Sequence, residues 1–371
     1  MKKIPISNIV LNGNELDYVS EAVKSTWISS IGKFISQFES MFAKYCSTKY
    51  AVSCSNGTTA LHLAIESLNI GKGDEVIVPP LTFAATANAV LHSGATPVFV
   101  DCSKDHWNID PDKIVPAITS KTKAILAVHL HGHPCNMTSI MKIAKKYKLF
   151  VIEDCAESTG AIVDGKKVGS IGDIGCFSFF GNKIMTTGEG GMCTTNDPAI
   201  NEKLRILRDH GMDKSKRYWH NVVGYNYRMT NLSAALGVAQ MEQLEEFHQK
   251  RKMLRFLYDK YINFNPNFLK PIKSPQGTEV DWFYNLNLSP DSKIKRDKLI
   301  NELSKVGIDT RPYFYPLHIM PPFKKYNKNK SHFSCTESFS ENGLYLPLYP
   351  SLLKKDVQFI SDEINRIASD F

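Results

Sequence analysis

The first two-thirds of the chain alternates short apolar runs with stretches whose apolar positions recur at helical spacing. EVIVP (75–79), PVFVD (97–101), KAILAV (123–128), LFVIED (149–154), CFSFF (176–180) and GMCTT (191–195) predict strands, because short runs rich in Val, Ile and Phe suit a pleat buried on both faces. ALHLAIESL (60–68), AATANAVLHS (84–93) and MTSIMKIAKKY (137–147) predict helices between them. Buried strands separated by helices imply an α/β fold, a large domain with a mostly parallel mixed sheet flanked by helices. From Asn231 a long helical pattern leads out of that domain. A strand at WFYNLNL (282–288), a helix at RDKLINELSKV (296–306) and a closing helix over 354–369 predict a smaller C-terminal α+β domain. The expected division is 1–245 and 246–371. RPYFYPLHIMPPF (311–323) holds too many prolines and rings for a helix or a central strand.

Composition narrows the function without naming it. With 371 residues, 43% hydrophobic, the chain can bury a substantial core, and a charged fraction of 22% excludes wholesale disorder. The net charge of +8 would suit a nucleic acid, a membrane surface or a phosphorylated small molecule. Lys324, Lys325, Lys328 and Lys330 sit among polar residues and read as a solvated surface, and motifs for reading bases are absent. The opening MKKIPISNIVLNGNELDYV lacks the apolar run of a signal peptide, and no stretch of about twenty apolar residues occurs. The eight cysteines are scattered without a CxxC pair and read as small buried hydrophobes. A soluble, cytoplasmic protein is expected.

Candidate chemistry is concentrated in four segments. In SFFGNKIMTTGEGGM (178–192), Lys183 follows a buried strand and precedes a glycine-rich turn. A desolvated lysine becomes a nucleophile or base, although an isolated lysine in a turn is more often a surface residue. In LFVIEDCAEST (149–159) an apolar strand ends in Glu153 and Asp154, at the strand end where open α/β sheets bind ligands. Two such acids could hold a metal; alternatively, Asp154 could keep the ring nitrogen of a pyridoxal cofactor protonated, and the presence of Lys183 favours the second role. In SNGTTALHLAIESL (55–68), Thr58 and Thr59 fall at a helix start, which either attracts a phosphate or is merely capped. In PPLTFAATANA (79–89), Phe83 could stack on a flat ring, though an aromatic there is more often core. His129, His131 and His133 alternate in HLHGHP and would share one strand face, but no acidic or cysteine partner is in register, so no metal site is expected.

Taken together, these segments resemble the DegT-type family of sugar aminotransferases, on the fold type I scaffold of pyridoxal-phosphate enzymes. SNGTTALHLA, GDEVIVPPLTF, GATPVFVD, VHLHGHPCNM, VIEDCAEST, FSFFGNKIMTTGEGGM and GYNYRMTN carry the resemblance, which runs from STWISSIGKF (25–34) to LPLYPSL (346–352). It implies that Lys183 is the Schiff-base lysine and Asp154 the partner of the pyridine nitrogen. Phe83 then stacks on the ring, Thr58, Thr59 and Ser178 hold the phosphate, and Glu157 lies near the phenolic oxygen. Asn226 matches an asparagine reaching the phosphate of a neighbouring subunit, which implies a homodimer with shared active sites. Ser29, His220, Arg228, Tyr315 and His318 are the implied substrate contacts. His131 stands where relatives often have Tyr, a departure that is not read as functional. The FFGNK, TTGEGG and TRPYFYPLHIMPP segments most resemble members that aminate a GDP-linked 4-keto-6-deoxy-mannose with glutamate. A UDP- or dTDP-linked keto-sugar is the alternative substrate. A non-catalytic regulator would need an appended DNA-binding module, for which a fold starting near residue 5 leaves no room.

Overall fold

The computed structural model describes residues 3–213, 215–274, 276–327 and 332–370. Lys328 and Lys330 of the predicted lysine surface lie outside the described residues. The strands are β1 (Tyr50–Cys54), β2 (Glu75–Val78), β3 (Thr96–Phe99), β4 (Thr122–Val128), β5 (Phe150–Asp154), β6 (Ile162–Val163), β7 (Lys166–Lys167), β8 (Ile174–Ser178), β9 (Gly191–Thr195), β10 (Tyr284–Asn287), β11 (Arg311–Pro312) and β12 (Gly343–Leu346). Seven of them form the main sheet in the order β1-β9-β8-β5-β4-β2-β3. Neighbours from β8 to β3 are parallel, and β9 runs antiparallel to both β8 and β1. The sheet is therefore mixed and mostly parallel, as the apolar runs predict. The carboxyl ends of β4, β5 and β8 bring Val128, Asp154 and Ser178 to the same edge.

Helices cover the sheet, and several of them, among them Glu15–Lys24, Lys33–Cys46 and Pro198–Leu207, are not among the helices predicted from the pattern. In Lys33–Cys46, Phe34, Phe38 and Phe42 recur every fourth residue and are buried. Phe42 packs edge-on against Phe177 and Phe179 at ring separations of 4.8 and 5.3 Å, sealing one face of β8. The helix Glu15–Lys24 lies outside it, against the long helix Asn231–Tyr261.

That long helix has 31 residues and passes through 245/246, the expected boundary, without a break. Its far half contributes Leu254 and Tyr258 to a second core with Leu286 of β10, Leu344 and Leu346 of β12, and Ile360 and Ile364 of the closing helix Lys354–Ser369. β10, β12 and β11 form an antiparallel sheet in that order. Buried Arg251 ties this body to the first, its Nη1 donating to the carbonyls of Trp282 and Leu348, both at 2.7 Å. No helix among the described residues is long and apolar enough to cross a membrane.

A buried acid fixes β1. Glu39 accepts from the backbone N–H and the hydroxyl of Ser53, both at 2.9 Å, and pairs with Arg205 and Arg208 at 2.9 and 2.7 Å. Burial raises its pKa, but the two guanidinium groups and Ser53 outweigh that and hold it below the usual 4.5. Removing the charge leaves two half-buried cations without their partner. Glu39→Gln is therefore expected to lower the unfolding free energy at pH 7 by about 3 kcal/mol in denaturant titrations. The folded pKa is depressed, so the loss is full above 4.5 and shrinks as the pH falls below it.

Candidate active site

The site begins where β1 turns into the helix Gly57–Ser67. Asn56 caps that helix: its Oδ1 accepts the Thr59 N–H at 2.9 Å, and Thr59 Oγ1 accepts the Asn56 N–H at 3.1 Å. The N–H groups of Gly57 and Thr58, in the first turn, have no carbonyl within the helix to bond, so the helix start favours an anion. A Cβ on Gly57 would stand 2.7 Å from the Ser178 Cβ, so only glycine allows the end of β8 to close against the turn. Thr59 is thus a capping residue. Thr58 and Ser178 face the cavity.

β5 separates its two terminal acids by the alternation of a strand. Glu153 turns away from the cavity and accepts N–H bonds from Gly169, Ile171 and Gly172 at 2.7–2.9 Å. His129 Nε2 lies 3.0 Å from it, and because His129 Nδ1 accepts the Cys135 N–H, Nε2 carries the proton and donates. The sequence had suggested that no acid pairs with this histidine. Glu153 does, and Cys155 is near as well, with ligand atoms of the trio within 4.8 Å of one another. Both ring nitrogens and both carboxylate oxygens are already engaged in hydrogen bonds. The expected shared face of His129, His131 and His133 is also corrected. The strand ends at Val128, and the turn Leu130–Gly132 puts His131 in a left-handed conformation, φ 59°.

Asp154 faces the other way, into a cavity of about 400 Å³. Its Oδ2 accepts from the Thr86 hydroxyl at 2.8 Å and its Oδ1 from the Ala156 N–H at 3.2 Å. Burial pushes its pKa above the ordinary 3.8 despite those bonds. Across the cavity, Lys183 follows β8, its Nζ 3.7 Å from Glu157 Oε1 and 4.2 Å from the centre of the Trp282 ring. Enclosure lowers its pKa, an effect that Glu157 and Asp154 only partly offset. Trp282, just before β10, donates its indole N–H to the Asn182 carbonyl at 2.7 Å.

Of the predicted residues, Thr58, Phe83, Asp154, Glu157, Ser178 and Lys183 line this one cavity. Phe83 is 59% exposed, so it forms a cavity wall and is not core. Asn226, Arg228 and His220 lie elsewhere on the surface: Arg228 pairs with Asp209 and bonds Asn226, and His220 sits against the His210 carbonyl. Ser29 is exposed and Tyr315 stands outside the cavity. His318 turns inward to Glu337 at 3.0 Å and packs on Phe333. Sequence reasoning missed Asn56, Thr86 and Trp282. Asparagine ahead of a helix start is a capping signal that could have found Asn56. Thr86 and Trp282 meet their partners only through the fold.

These groups fit pyridoxal phosphate: a glycine cradle at a helix start for the phosphate, a buried carboxylate for a cationic ring nitrogen, an exposed ring for stacking, and an amine. The chain belongs to the DegT/DnrJ/EryC1/StrS aminotransferase family, which residues 10–365 match, and is a pyridoxal-phosphate-dependent aminotransferase. It is 45% identical to the GDP-perosamine synthase of Caulobacter vibrioides over 99% of each chain, and 45% identical to that of Escherichia coli O157:H7 over the full length of both. It is also 37% identical to the dTDP-3-amino-3,6-dideoxy-alpha-D-galactopyranose transaminase of Aneurinibacillus thermoaerophilus, over 94% of this chain and 93% of that one. Among solved structures, the aminotransferase from Psychrobacter cryohalolentis matches with a TM-score of 0.92 and 32% identity, covering 100% of this chain and 99% of that one.

Ionising Asp154 without a cation beside it costs stability. The folded pKa is raised, so this cost is absent below 3.8 and complete once the pH has passed the folded value. In Asp154→Asn the new amide can donate to Thr86, whose hydroxyl can turn to Thr82 at 2.9 Å. The cofactor-free variant is expected to melt about two degrees or more above wild type at pH 7, with the gain shrinking toward about pH 4. Thermal unfolding by circular dichroism measures both.

Proposed function

We propose that the protein moves an amino group from glutamate to the 4-keto carbon of GDP-4-keto-6-deoxy-mannose, giving GDP-perosamine for surface polysaccharide. The convergence of Lys183, Asp154 and the start of the helix Gly57–Ser67 on one cavity carries the transfer chemistry. Full-length identity of 45% to two GDP-perosamine synthases supports the substrate. The dTDP-sugar transaminase at 37% keeps a UDP- or dTDP-linked keto-sugar as the second reading.

When bound, pyridoxal phosphate supplies an electron sink for the pair left on the substrate carbon after a proton departs. Asp154 would hold a proton on the ring nitrogen, which would keep that sink effective. The N–H groups of Gly57 and Thr58, with the Ser178 hydroxyl, would hold the phosphate, and Phe83 would supply an aromatic wall for the ring. Lys183 would take the proton from the amino-bearing carbon and return it during transfer. A lowered pKa suits that task, because the amine must be neutral to accept a proton. Glutamate reacts first and the keto-sugar second, in two halves that use the same residues.

The active unit we propose is a homodimer with shared sites. Ser29, His220, Asn226 and Arg228 do not line their own chain's cavity. They sit in or beside segments whose large apolar side chains are exposed: Trp27, Ile28 and Ile31, and Tyr218, Trp219, Val222 and Val223. Exposed apolar residues in that number on two segments are what a partner covers. Tyr315 borders Phe314 of the cavity wall, where the sugar would enter.

Lys183→Ala is expected to abolish the visible absorbance of protein reconstituted with pyridoxal phosphate. It should also cut turnover by at least about a hundred-fold; retained turnover would refute the role. Incubation with GDP-, UDP- and dTDP-linked 4-keto-6-deoxy sugars plus glutamate, read by mass, should yield an amino sugar from the GDP substrate. Product from only a UDP or dTDP sugar selects the second reading. Mixing inactive Lys183→Ala with inactive Asn226→Ala subunits should restore about a quarter of wild-type activity, because each heterodimer holds one intact shared site. No recovery after exchange of subunits would contradict sharing.

A further inference from the structure

His131 lies behind Glu157, between the two bodies of the molecule. Its backbone N–H donates to Glu157 Oε2 at 2.8 Å. The imidazole is fully buried, with Nδ1 2.8 Å from the Tyr345 hydroxyl and 3.7 Å from Glu157 Oε2. The other Glu157 oxygen, Oε1, is the one 3.7 Å from Lys183 Nζ. Tyr345 belongs to β12, so a polar path runs from the C-terminal sheet through His131 and Glu157 to Lys183.

Packing does not explain a histidine here. Tyr313 and Trp107 lie against the ring at centroid separations of 4.3 and 4.9 Å, surroundings that a phenyl ring would satisfy. Histidine instead carries a left-handed backbone and an Nε2 with no hydrogen-bond partner among the described residues. Both features are unfavourable, and both accompany an imidazole whose other nitrogen faces Tyr345 and Glu157. The Glu157 carboxylate favours the tautomer protonated on Nδ1, the edge turned toward it and the Tyr345 oxygen. With Oε2 held on that side, rotation of the carboxylate is restricted and Oε1 stays toward Lys183.

We propose that His131 and Tyr345 are positioning residues, whose hydrogen-bonded pair fixes the rotation of Glu157 beside Lys183 and couples it to the seating of the C-terminal sheet. This rests on the reading of Lys183 as the reacting amine. The titratable groups facing the pair are Glu157, Tyr313, His106 and His133, and those facing Lys183 are Glu157 and Asp154.

The test uses protein reconstituted with pyridoxal phosphate, in wild type, His131→Phe, Tyr345→Phe and the double variant. Its readouts are visible absorbance against pH and steady-state kinetics. The Phe variants keep the ring packing and the backbone N–H bond to Glu157, and remove the contact between Nδ1 and the Tyr345 hydroxyl. Each is expected to shift the midpoint of the absorbance titration by about half a unit or more, the scale of one lost hydrogen bond. Each should also lower kcat about ten-fold with KM for the keto-sugar little changed, as loss of part of a general base's alignment would. The double variant should match the single ones, since both act through one contact. Unchanged midpoint and kcat in Tyr345→Phe overturn the proposal, and that variant decides the matter even if His131→Phe does not fold. If wild type lacks the absorbance, or Lys183→Ala retains it, the reading of Lys183 has failed instead, so the two failures are distinguishable.

Discussion

At the carboxyl end of β5, a carboxylate without access to water is held by three backbone N–H groups and an imidazole. Burial alone would push the Glu153 pKa up, but the His129 hydrogen bond and these amides reverse the sign and keep it below its usual value. The anion gathers the turn at Gly169–Gly172, the end of β4 and β5 itself around one point. Asp154 projects from the opposite face of the same strand, so its direction into the cavity follows from how firmly its neighbour is held. Two adjacent acids that look alike in the sequence therefore do unlike work: one holds the backbone together and the other faces the cavity.

The same contrast marks the amine opposite. Enclosure lowers the Lys183 pKa below its ordinary value and raises that of Asp154 above its own. Both are poor choices for stability in the protein alone and good ones once a cationic ring with an anionic tail lies between them. The helix start completes the match, because its free N–H groups carry partial positive charge where the tail would sit. Such a site is under-satisfied on its own, and the proposed cofactor would complete it.

Much of this was legible in the residues, and the exceptions follow physical lines. Every predicted strand of the main sheet exists, because a strand buried on both faces must be apolar throughout, and that signal is local. Six of the eight residues assigned to the cofactor meet at one cavity, because motifs at strand ends and helix starts fix their own geometry. What the sequence did not disclose depends on distant contacts. Trp282 reaches Lys183 across 99 positions of chain, and Thr86 reaches Asp154 across 68. The histidine run misled, since alternation suggested a strand where a left-handed turn sends each ring to a different partner. The four-residue spacing of Phe34, Phe38 and Phe42 is a local signal of the helix Lys33–Cys46.

Trp282 and Tyr345 reach the cavity wall and its support from beyond the long helix Asn231–Tyr261, which spans about 46 Å at the rise of an α-helix. A graft that exchanged everything after that helix between two relatives would carry those two side chains away from the lysine and histidine they touch. Working hybrids of these enzymes should then cluster among parents that share both sides of the contact, and the seam in the sequence would not be the seam in the chemistry.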